Sequence, residues 1–125
     1  MKKYLGEFVM GTAILHTVVG ILLGWSQLVG IASDGFFNVI DPYFDRAAIF
    51  WFLSYGLLLF VIGLMVKWAQ KEIGWLPRWL AWLFLGMGIT SVILMPISGF
   101  WLLFPIAWMA YASGQDPVTA AAHSG

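Results

Sequence analysis

Apolar residues in this chain come in long blocks separated by short polar or helix-breaking segments. The blocks cover roughly residues 5–31, 47–66 and 79–97, with a shorter one at about 99–113. About 20 helical residues cross the roughly 30 Å of bilayer hydrocarbon, so each of the first three blocks is long enough to span a membrane. The third and fourth are divided only by "MPISGF", where Pro96 and Gly99 favour a tight turn over a continued helix. A hairpin with no charge in its turn fits two close antiparallel neighbours, and Gly99 is expected to let their backbones approach. The predicted fold is all-α: an integral membrane bundle of four transmembrane helices over residues 1–113, then a small, polar, flexible tail at 114–125.

The connecting segments carry their own signals. "ASDGFFNVIDPYFDRAA" reads as a break at Asp34-Gly35 followed by a new helix, with Asp41 as N-cap, Pro42 at N1 and Asp45 near the positive end of the helix dipole. "KWAQKEIGWLPRW" mixes Lys and Trp around Gly74 and Pro77 and reads as a connector along a membrane surface. The start, "MKKYLGEFVMGTAILHTVVGILLGW", is basic like a signal peptide, but its apolar run exceeds the 7 to 15 residues or so of such a segment. A retained transmembrane helix is expected instead.

Composition removes the soluble alternative. Hydrophobic residues make up 62% and charged ones 10%, too few charges to cover a water-soluble fold. The charges cancel, so there is no basic face for nucleic acid, and none is expected as a partner. With no cysteine, disulfides, thiolate metal sites and iron–sulfur clusters are excluded. Under four crossings, Lys2, Lys3, Lys67, Lys71 and Arg78 share one side and Arg46 stands alone on the other, which puts both termini in the cytoplasm. Trp25, Trp51 and Trp101 would then mark the outer interface, and Trp68, Trp75, Trp79 and Trp108 the inner one.

His16 is the candidate for chemistry. At about 1.5 Å per residue from Leu5 it lies about 16 Å deep, close to the bilayer midplane, where ionisable groups are rare and usually face a bundle interior or a wet cavity. Thr12, His16 and Gly20 share a helix face. Tyr55, Thr90 and Ser91 reach similar depth, with Trp51 one turn above Tyr55. The candidate ligand-binding set is therefore His16, Thr12, Tyr55 and Ser91 as polar contacts, with Trp51 and Trp101 as apolar walls. The competing role for His16 is interhelical hydrogen bonding, worth about 0.6 to 2 kcal/mol in a membrane. No metal site is predicted, because the core supplies one histidine and no carboxylate at its depth, and no cofactor is expected. Glu7 sits near the inner surface, where it can be solvated or ion-paired. Gly56 and Gly63, and Gly88 with Ser91, are small residues suited to close helix packing.

At "TAILHTVVG", "AAIFWFLSYGLLLFVIGL" and "PISGFWLLFP" the chain resembles a family of small bacterial four-helix integral membrane proteins classed as a domain of unknown function. The resemblance extends to about residue 112 and implies a compact bundle in the bacterial inner (plasma) membrane. It brings no activity and no catalytic residue. The expected function is binding of a hydrophobic small molecule or lipid in an intrabundle pocket opening toward the outer leaflet, in the pattern of few polar groups in an apolar lining. Catalysis by His16 as acid or base is left open, since it is a single titratable group with no identified partner. The alternatives are an accessory subunit of a larger membrane complex and a small homodimeric exporter.

Overall fold

A computed structural model describes residues 4–115 and 122, and the predicted Lys2, Lys3 and most of the proposed flexible tail, including His123, lie outside those residues. The described chain is all-helical apart from two strands of two residues each, with five α-helices and one 3-10 turn. The first apolar block forms α1 (Leu5–Leu23) and α2 (Trp25–Ser33). They meet at Gly24, whose φ of −98° and ψ of 15° leave the helical region, yet its N–H still reaches Gly20 O at 2.9 Å. Block 5–31 is thus divided at a glycine, where the Ile49 side chain occupies the place that a Gly24 Cβ would take.

The second block extends past both predicted ends as α3 (Phe44–Glu72). Asp41 and Pro42 do not cap it: they lie in a turn closed by Tyr43 N–H on Ile40 O (2.8 Å), so the helix begins at Phe44, with Asp45 in its first turn as expected. Asp34 ends α2, and Gly35 follows with φ +93°, a conformation that favours glycine. Arg46 ties this connection together, its Nη2 on Asp34 Oδ2 (2.8 Å), its Nη1 on Val39 O (2.7 Å) and its guanidinium over the Tyr43 ring.

The helices α1 and α3 run antiparallel along most of their length. The buried positions on α1 are Leu5, Gly6, Val9, Ala13 and Gly20, with Leu5, Val9 and Ala13 four residues apart, and on α3 they are Gly56, Leu59, Gly63 and Val66, a three-four spacing. Membrane helices that cannot gain from apolar burial pack through small residues. A Cβ added to Gly63 would stand 2.9 Å from Met10 N, and one on Gly6 would stand 2.8 Å from Lys67 N, so the backbones themselves touch. At that end Glu7 pairs with Lys67 at 3.0 Å, an exposed bridge that adds little.

The remaining blocks form a hairpin of α4 (Trp79–Leu94) and α5 (Leu103–Ser113), the latter entered through the 3-10 turn Gly99–Leu102. Ala81, Phe84 and Gly88 of α4 face Leu103, Ile106, Ala107 and Ala110 of α5, and α5 also touches α1. The strand β1 (Leu76–Pro77) pairs in parallel with β2 (Gly114–Gln115), so the first two residues of the proposed tail are tied to the α3–α4 connection. By length and composition two helices, α1 and α3, can cross a membrane, while the two helices of the hairpin are shorter.

The turn between α4 and α5 works differently from the expectation. A Cβ on Gly99 would meet nothing within 4 Å, so this glycine mediates no close approach. The turn is held by side chains instead: Ser98 Oγ donates to Met95 O (2.7 Å) and accepts from Phe100 N–H (3.4 Å), and Trp101 Nε1–H donates to Pro96 O (2.8 Å). An unfolding titration in detergent should therefore show Gly99→Leu close to neutral and Ser98→Ala weaker by about 1 kcal/mol.

Candidate functional site

The helix α1 presents Thr12, Leu15, His16 and Val19 on one side, a run set by helical spacing. Opposite stand Phe52, Tyr55 and Leu59 of α3, again three and four residues apart. The turn after α4 and the start of α5 close the third side with Met95, Ser98, Phe100 and Leu103. Together they enclose a cavity of about 440 Å³ without a charged group in its lining, of a size typical for small-molecule sites. Leu59 and Leu103 are buried at its floor, whereas Leu15, Val19 and Met95 are exposed at its rim.

The cavity exists because the hairpin is short. The 16 residues of α4 reach about 24 Å, against about 43 Å for the 29 residues of α3. The turn at Met95–Phe100 therefore stops short of the far end of the long pair, at the level of His16 and Phe52. Above it α1, α2 and the first turns of α3 continue without the hairpin.

His16 is half-buried and fixed from two directions. Its ring lies flat on Phe52, centroids 3.9 Å apart at 12°, and meets Tyr55 edge-on at 5.4 Å. Nε2 is 2.9 Å from Phe52 O. A carbonyl only accepts, so Nε2 carries the proton and, in the neutral ring, Nδ1 carries the lone pair. That carbonyl is open to the imidazole because Gly56 bears no side chain: a Cβ there would stand 2.5 Å from Thr17 Oγ1 and 3.1 Å from His16 Cδ2. Thr12 and Thr17 turn their hydroxyls back onto Phe8 O and Ala13 O, both at 2.9 Å, and so make no bond to His16.

Of the six residues predicted for the site, Thr12, His16 and Tyr55 are brought together in the lining, and Trp51, Ser91 and Trp101 lie outside it. Trp51 is 70% exposed and rests on Phe50, because the neighbouring Phe52 takes the inward side of α3, about 100° around the helix. Ser91 sits on α4, whose buried stripe faces α5 and not α1. Trp101 spends its indole N–H on the turn and packs on Phe104. Sequence reasoning passed over Phe52, Ser98 and Phe100. Phe52 offers one cue, since it lies three and four residues before Tyr55 and the bare Gly56. Among the described residues, no cluster of three or more metal-ligating side chains occurs. A smaller groove of about 260 Å³ lies between α4 and α5, walled by Trp82, Trp108 and Tyr111.

A family model covers residues 1–117, so it includes every residue of this cavity. The chain belongs to the family of unknown function DUF6463. No curated protein and no solved structure matches it. Membership therefore adds no reaction or ligand to the geometry.

Proposed function

We propose that this DUF6463 member is a four-span protein of the bacterial inner membrane, both termini cytoplasmic, that holds a hydrophobic small molecule or lipid in the cavity beside His16. The observation that carries this reading is the cavity itself: apolar, uncharged, rimmed by exposed side chains and containing a fixed imidazole. Its topology is supported by the grouping of chain ends, since Gly6 meets Lys67 at one end of the bundle and Leu76 pairs with Gly114 in the connection beyond α3. Lys67 and Lys71 belong to that end, as does Arg78, which lies against Gly114, and Arg46 belongs to the opposite one. In the charge-free turn at Met95–Phe100 the carbonyls of Met95 and Pro96 are satisfied by Ser98 and Trp101, which suits irregular backbone in or near hydrocarbon. In this orientation the cavity opens into the outer leaflet.

Two measurements test the reading. In this cysteine-free chain, Ser33→Cys should react with a membrane-impermeant maleimide added outside, and Lys71→Cys and Ala112→Cys only after permeabilisation. Outside labelling of Ala112→Cys would reject the four-span topology. Native mass spectrometry from mild detergent should show a monomer with a lipid-like mass retained. A stable hetero-complex would point instead to an accessory subunit, and a dimer without bound mass to an exporter-like assembly.

A further inference from the structure

We infer that the ligand of this cavity is a neutral, largely apolar molecule recognised by a hydroxyl group, alcohol or phenol, which donates to His16 Nδ1. The inference rests on the pocket reading above and specifies its chemistry. Nε2–H is committed to Phe52 O at 2.9 Å, and the stacked Phe52 ring prevents the imidazole from turning away. Nδ1 forms no hydrogen bond among the described residues, so the histidine offers the cavity an acceptor and nothing else.

The other polar groups in the lining divide in the same way. Thr12 and Ser98 have spent their hydroxyl protons on Phe8 O and Met95 O. Among the described side chains of the lining, Tyr55 is the one that retains a donor, and its ring stands edge-on to His16 at 5.4 Å. A ligand hydroxyl matches this pair, since it donates to Nδ1 while its oxygen accepts from the Tyr55 O–H. Esters, ethers and ketones bring only acceptors and would leave Nδ1 facing another lone pair, a desolvated mismatch. Carboxylates and phosphates bring a charge, and no Lys or Arg lines the cavity to receive it.

The experiment uses the full chain in detergent with two probes of nearly equal shape, para-octylphenol and its methyl ether para-octylanisole, each titrated calorimetrically. The phenol should bind roughly three- to tenfold more tightly than the ether, the worth of one net hydrogen bond. In His16→Leu the preference should collapse to parity, with the ether affinity retained. Equal binding of the two probes to the unsubstituted chain, or a preference that persists in folded His16→Leu, overturns the hydroxyl inference and leaves the pocket reading standing. Binding of neither probe, with no lipid-like mass retained, overturns both. Should His16→Leu fail to fold, nitrogen-15 spectra of the unsubstituted chain, whose only other histidine is His123, supply the answer. Nδ1 of His16 must resonate as the unprotonated nitrogen and shift on adding the phenol but not the ether. A protonated Nδ1 overturns the inference.

Discussion

Gly63→Leu is expected to destabilise the bundle by about 3 kcal/mol or more, beyond the usual cost of an oversized side chain. The obstruction is backbone. The new Cβ alone would stand 2.9 Å from Met10 N and 3.1 Å from Gly6 O, and neither can swing aside as the end of a flexible side chain can. Relief requires α1 to move away from α3 along their longest shared seam, which also opens the contacts of Val9 and Leu59. Gly86→Leu is the matched control, because a Cβ there meets nothing within 4 Å. Chemical unfolding in detergent, followed by tryptophan fluorescence, should separate the two variants clearly. Equal stabilities would mean that α1 and α3 are not in backbone contact.

The second large effect concerns the cavity. Val19→Trp is expected to abolish retention of the lipid-like molecule while leaving the fold intact. Val19 is 38% exposed at the cavity rim, so an indole there can fill the space without displacing the buried floor of Leu59 and Leu103. Leu22→Trp places the same ring on the same helix outside the lining, where the present side chain is 71% exposed, and should keep the bound species. Native mass spectra of both variants decide the matter. A bound mass that survives in Val19→Trp would have to lie elsewhere, for example in the groove walled by Trp82, Trp108 and Tyr111.

His16 shows how a site can be half legible in a sequence. Its isolation in an apolar helix, with Thr12 one turn before it, is enough to mark a special position, and the structure puts both in the lining. Its partner is a different matter. The group that fixes the ring is the carbonyl of Phe52, a backbone atom that every residue possesses, and pattern reading by residue type passes over it. The choice between Trp51 and Phe52 as the inward aromatic turns on one step of about 100° about α3. Both are large, apolar and near the right depth, so composition favours neither.

The sequence by itself determined the apolar blocks and the breaks at Asp34-Gly35 and "MPISGF", because these depend on local properties such as the length of an apolar run and the presence of Gly and Pro, but not the division at Gly24 or the ends of α3. It also identified Gly56 and Gly63 as small packing positions, which the α1–α3 seam uses. Only the tertiary structure decided which faces meet. Gly99, expected to bring two helices together, stands in open space, while Gly6, at the far end of the chain from it, lies against Lys67. The rotation of α3 against α1 is set by backbone approach between residues more than fifty positions apart, such as Gly6 and Gly63. The cavity follows from a further non-local fact: the turn of the shorter hairpin stops beside His16 and Phe52, and the longer pair continues past it. Apolar blocks are written in the chain, but where each helix ends, and at what level it ends against another, is set by packing.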